Sequence, residues 1–84
     1  MNIEKTCTDA IAVVERYLTG DVSVYDMQDE LYEAREAVDR AWDKYTSRMK
    51  SDMCTTAWLA VLAARHDRRD LAKMYVAEYK ELVK

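Results

Sequence analysis

Eight consecutive residues, Ala57 to Ala64, read Ala-Trp-Leu-Ala-Val-Leu-Ala-Ala and contain no polar side chain. Wound into a helix, this run points apolar groups in every direction, and a helix that is apolar all round is normally enclosed by its neighbours. It is far too short to cross a membrane, which takes about 20 apolar residues. The rest of the chain must therefore supply the cover. Ala57, Ala60 and Ala64 also form a strip of small side chains that lets another helix approach closely. If the remaining helices of one chain do not enclose this strip, a second copy has to, so the three alanines are a candidate self-association surface and a homodimer is the matching expectation.

The chain has 84 residues, enough for one domain with a modest core, and residues 1–84 are read as a single helical domain. There is no proline and one glycine, while half of the residues are hydrophobic and 35% are charged. With so many Ala, Leu, Glu, Lys and Arg, the composition specifies helices and excludes a disordered chain.

Ile3, Cys7, Ala10, Val14 and Tyr17 recur at four- and three-residue steps, which predicts a first amphipathic helix from Ile3 to Thr19. Gly20 follows, where a left-handed C-terminal cap is expected. Ser23, with Asp26 three residues on, marks the start of a second helix, and Val22 and Met27 are spaced for a hydrophobic staple. Its apolar stripe reads Met27, Leu31, Ala34, Val38, Ala41 and Tyr45, flanked by Trp42 and Met49. Such a helix would reach roughly 40 Å and overhang the bundle. Its end is not fixed, because no Gly or Pro lies between Thr46 and Thr56. A continuous rod into the third helix and a break near Lys50 to Asp52 both remain open, the break being preferred, with helix 3 over Met53 to Arg65. Asp67 and Asp70 repeat the capping spacing ahead of a fourth helix bearing Leu71, Ala72, Tyr75, Val76, Tyr79, Leu82 and Val83. The expected fold is all-α, a small bundle of three or four helices with a long second helix.

The inventory argues against catalysis. His66 is the only histidine and falls at a turn beside Arg65, Asp67, Arg68 and Arg69. A metal centre needs further ligands at suitable spacing, and a phosphate-cradling loop needs more than one glycine. We therefore expect no enzyme, no metal and no cofactor. Cys7 and Cys54 fall on predicted core faces and read as buried thiols, with pairing left open. The N-terminal residues Met-Asn-Ile-Glu-Lys lack the basic and apolar stretches of a signal peptide, so a cytoplasmic protein without a membrane role is expected.

Charge distribution carries more information than the net charge of −3. From Asp26 to Asp43 there are seven acids against Arg35 and Arg40, a local balance of −5. On a helix, Tyr25, Asp29, Tyr32, Glu33, Glu36, Asp39 and Asp43 all lie away from the core stripe. Acids near a helix N-terminus are favoured by the macrodipole, but Glu33 and Glu36 lie beyond its reach, and like charges one turn apart cost about 0.2–0.5 kcal/mol each. An acidic face with two aromatic residues is suited to a protein partner with a basic surface. The opposite charge gathers at Arg65, Arg68, Arg69 and Lys73, with Lys44, Arg48 and Lys50 nearby. This cluster is the alternative candidate, a phosphate-binding site of a small nucleic-acid-associated regulatory protein. Interleaved Asp67 and Asp70, and a domain that is not basic, weigh against it.

The segment Ala10-Ile11-Ala12-Val13-Val14-Glu15-Arg16-Tyr17-Leu18-Thr19-Gly20-Asp21-Val22-Ser23 resembles the opening of a loose group of small, often alanine-rich helical proteins of phages and bacteria. Their function is unknown, and some are labelled immunity proteins. Ala57 to Arg65 is similar to their later alanine-rich helix. The two segments cover about a quarter of the chain, while the acidic second helix departs from the group. The resemblance implies a phage-type source and an interaction role and transfers no site residue. The resulting expectation is a non-enzymatic interaction module, a phage accessory protein that binds and inhibits a bacterial protein of the host cytoplasm.

Overall fold

The computed structural model describes residues 2–20, 22–42 and 47–84. Four helices, α1 (Ile3–Thr19), α2 (Gln28–Ala41), α3 (Arg48–Arg65) and α4 (Arg69–Leu82), make an all-α bundle, with no strand among the described residues. Cross-links between helices give the directions. Cys7 meets Cys54 and Tyr17 meets Asp67, so α1 and α3 run parallel. Thr8 meets Tyr79 and Tyr17 meets Arg69, so α4 is antiparallel to α1. Tyr32 meets Arg65 and Trp42 meets Ser51, which sets α2 antiparallel to α3 and so to α1. The topology is therefore up-down-up-down.

α1 and α3 form the central pair, each packing against all three other helices, while α2 and α4 lie on either side and do not touch. Small residues explain this arrangement. Ala10 on α1 and Ala57, Ala60 and Ala64 on α3 are all buried, the three α3 alanines completely. The alanine strip is thus consumed by packing inside one chain, which corrects its reading as a self-association surface. The apolar run around it is not fully enclosed either: Trp58, Leu59 and Leu62 are half-exposed. The small residues of the run point inward and its largest residues point outward.

α1 occupies the expected span, with Asn2 as its cap: the Asn2 side chain accepts the Lys5 N–H at 3.0 Å. Gly20 does not adopt the left-handed conformation. Its φ is −91° and ψ 162°, an extended geometry open to any residue, and it donates its N–H to the Arg16 carbonyl at 2.9 Å. What requires glycine is space, because a Cβ there would sit 2.9 Å from that same carbonyl oxygen.

The left-handed position lies instead at Asp67, with φ 55°. Arg68 N–H reaches back to the Ala63 carbonyl at 2.8 Å and Asp67 N–H to that of Ala64 at 3.0 Å. This is the Schellman arrangement that closes a helix, with aspartate where glycine is usual. Asp67 therefore ends α3 rather than capping α4, whose preceding residue Arg68 makes no side-chain cap.

α2 is shorter than expected and is not the long helix. Ser23 does cap, accepting the Asp26 N–H at 3.4 Å, but residues 23–28 close tight turns of three-residue span before regular helix begins at Gln28. The helix ends at Ala41, because Trp42 turns to extended backbone, and its indole N–H donates to Ser51 Oγ at 3.3 Å. Fourteen residues give about 21 Å rather than 40 Å. Regular helix already runs through Lys50 to Asp52, where a break was expected: α3 begins at Arg48 rather than Met53, is capped by Ser47, which accepts the Lys50 N–H, and is the longest of the four helices with 18 residues. Tyr45, expected in the core stripe, lies outside the described residues; Met27, Leu31, Ala34, Val38 and Ala41 are buried as the periodicity requires.

Candidate functional site

The outward face of α2 and the turn before it hold most of the acidic candidates. Tyr25 stands in that turn at 82% exposure, and Tyr32, one helical turn into α2, at 49%. Asp29, Glu33 and Asp39 are exposed, whereas Glu36 is half-buried. Asp43, the last member of the expected set, lies outside the described residues. Side-chain pairing makes the face less uniform than its sequence. Arg16 of α1 pairs with Glu30, and Arg35 lies 3.5 Å from Glu36. Among the described residues no ion pair forms to Asp29, Glu33 or Asp39. These three carboxylates, and Tyr25 in the turn before the helix, are the available part of the expected set.

The two tyrosines differ in kind. The Tyr32 ring lies between two guanidiniums, Arg35 at 5.9 Å and Arg65 at 5.5 Å from its centroid. Each contact is worth about 0.5–1 kcal/mol at a partly exposed site. Tyr32 thereby ties α2 to the end of α3 and offers a partner one edge and its hydroxyl. Among the described residues no such contact is made to Tyr25.

The basic cluster does not converge on one patch. Arg65 is half-buried and turned toward Tyr32 on α2. Arg69 turns the other way, its guanidinium 4.5 Å from the Tyr17 ring centroid and donating to the Tyr17 carbonyl at 3.3 Å. Arg68 and Lys73 are exposed. Two of the four cations are therefore committed to aromatic rings on different helices, Tyr32 of α2 and Tyr17 of α1.

Sequence reasoning missed the junction that Arg69 belongs to. Tyr17, fully buried at the end of α1, donates its hydroxyl to Asp67 at 2.5 Å. Burial and the neighbouring carboxylate push the Tyr17 phenol up to about 12, against a smaller opposing effect of Arg69. The available signal was the absence of glycine at the α3–α4 turn, since aspartate is among the few residues that tolerate positive φ.

Elsewhere the chemistry is structural. His66 is exposed at the C-terminus of α3. Cys7 and Cys54 are fully buried free thiols with sulfurs 3.7 Å apart, and burial raises both, Cys7 to about 12. No group of three potential metal ligands comes together among the described residues, and no helix is long and apolar enough to cross a membrane.

A third feature had no counterpart among the expected sites. Along the seam between α3 and α4 lie two depressions, the larger about 630 Å³. Leu59, Leu62, Leu71 and Tyr75 line one, and Met74 and Leu82 help line the other.

The fold is an all-α bundle of four helices. No family model, curated protein or solved structure matches the chain.

Proposed function

We propose that the protein is a non-enzymatic interaction module whose α2 face binds a basic surface on another protein. The observation that supports this reading most directly is the group Tyr25, Asp29, Glu33 and Asp39, exposed together and unengaged by ion pairs among the described residues. Carboxylates massed on one face repel one another, and a cationic partner relieves that repulsion while steering encounter. Tyr25 adds the rigid aromatic anchor that interface centres favour. In the setting implied by the resemblance to phage and bacterial proteins, the reading extends to a phage accessory protein that inhibits a bacterial one. The nucleic-acid alternative is the weaker reading, since Arg65 and Arg69 are spent on Tyr32 and Tyr17.

Capture from a bacterial lysate, with identification of the retained protein, tests this. A variant with Tyr25→Ser, Asp29→Lys and Asp39→Lys should lose that protein while keeping its circular dichroism, because none of the three side chains supports the fold. Arg68→Glu with Lys73→Glu should keep it. The reverse pattern, or salt-sensitive retention of nucleic acid that depends on Arg68 and Lys73, overturns the reading.

A further inference from the structure

The outward half of the Ala57–Ala64 run is the strongest unexplained feature. Leu59 and Leu62 stay half-exposed and join Leu71 and Tyr75 of α4 in one depression, while Met74 and Leu82, 44% and 36% exposed, line the next one along the same seam. The intrachain helices leave this strip of large side chains uncovered, because α2 lies on the far flank of the α1–α3 pair and never reaches α4.

The seam also has a polarity. At the α3–α4 turn its walls are His66 and Arg68; at the other end they are Asp52, Glu78 and Glu81, all exposed. A partner of uniform charge would be repelled at one end. The surface that matches both ends is the same seam reversed. Leu59 stands midway in sequence between Asp52 and His66, and Tyr75 midway between Arg68 and Leu82. A twofold axis near Leu59 and Tyr75 therefore lays the basic end of one copy on the acidic end of the other, with leucines facing leucines between them.

We propose that the α3–α4 seam is a self-association surface and that its occupant is a second copy of this chain, packed antiparallel about a twofold axis. The seam from Asp52 to His66 is about 21 Å long and two helices wide, roughly 400 Å² in projection, which is small beside the roughly 800 Å² per partner of a standard stable interface. The dimer is accordingly weak and concentration-dependent. It leaves the α2 face outward on both copies, and it does not depend on the reading of that face.

Sedimentation analysis of the purified protein over a concentration series, up to about 1 mM, tests the proposal. The expected result is reversible monomer–dimer exchange, weakened about tenfold or more by Met74→Glu, a substitution at an exposed site that should leave the helical signal intact. Arg68→Glu and Glu81→Arg should each weaken the dimer, and the double variant should restore it, the exposed Glu81–Lys84 pair at 3.5 Å being too weak to interfere. Tyr25→Ser, on the other face, should have no effect. A protein that stays monomeric throughout, a dimer indifferent to Met74→Glu, or a double charge swap that fails to restore association would each overturn the proposal.

Discussion

Tyr17 donates its hydroxyl to Asp67 across the closed end of the bundle, at 2.5 Å, from a ring that is completely buried to a carboxylate held at positive φ. Asp67 thus does two things: it ends α3 in a left-handed turn, and its side chain fastens that turn to α1. The two roles respond differently to substitution. Asp67→Ala loses a charge-assisted hydrogen bond and adds left-handed strain, together about 3 kcal/mol. Asp67→Gly loses the same bond but relaxes the backbone, a gain roughly offset by the extra freedom of the unfolded chain, so it should cost about 2 kcal/mol. Urea unfolding should rank wild type above Gly and Gly above Ala. A ranking with Gly lowest would mean that the hydrogen bond alone matters.

Gly20 makes the contrasting case. Its backbone is extended, so a residue that tolerates positive φ has no advantage there, and the obstacle is the Arg16 carbonyl 2.9 Å from any added Cβ. Gly20→Ala and Gly20→Asn should therefore both destabilise, by about 1 kcal/mol or more. At a left-handed cap Asn would be markedly milder than Ala. Equal midpoints for the two variants in urea check the steric account, and a clear rescue by Asn would refute it.

Alkaline pH should lower the stability of the fold through its buried thiols and phenols. Burial raises the Cys7 thiol from its ordinary 9.0 to about 12 and the Tyr17 phenol from 10.0 to about 12, and it raises Cys54 and Tyr79 as well. These groups are neutral when protonated. Between the ordinary value and the raised one, the unfolded chain releases protons that the folded chain keeps, so stability falls as pH rises. The contribution is complete below about pH 9 and is lost progressively toward about pH 12. Urea midpoints at about pH 8 and about pH 10.5 should differ, and Tyr17→Phe should reduce the difference. The same burial should keep both thiols unreactive toward an aromatic disulfide reagent until the protein unfolds.

The parts of this fold that sequence disclosed are those governed by periodicity. The stripes Cys7–Ala10–Val14–Tyr17 and Leu31–Ala34–Val38 are buried as their spacing requires, and α1 spans its expected residues. What sequence could not disclose depends on neighbours. The end of α2 at Ala41 carries no Gly or Pro, and Trp42 leaves the helix while its indole reaches Ser51 nine residues on. Asp67 has the spacing of an N-cap, yet the partner that fixes its role, Tyr17, is fifty residues away. The candidate faces were legible as patterns of charge, but not as pairings. Nothing in one helix's sequence says that Arg16 takes up Glu30, or that Arg65 and Arg69 turn toward tyrosines on two other helices. The α3–α4 seam was hidden for a further reason. A run that is apolar in every direction does not reveal which of its residues the neighbours leave uncovered.

That ambiguity gives the sharpest test of the packing, because adjacent residues of one run should have opposite fates. Ala60 is completely buried between helices of the same chain. Ala60→Glu would place an unpaired carboxylate in the core, at a cost of about 3–5 kcal/mol. A domain of this size has roughly 4–13 kcal/mol to lose, so a large share of its stability should go. Leu62, two positions on, is half-exposed. Leu62→Lys can keep its aliphatic stem on the seam and its charge in water, at a cost of about 1 kcal/mol. Thermal melts by circular dichroism should show Leu62→Lys melting close to wild type and Ala60→Glu melting far below it. An Ala60→Glu variant that melts close to wild type would mean that the alanine strip faces outward, and the assignment of small residues inward and large residues outward would have to be reversed.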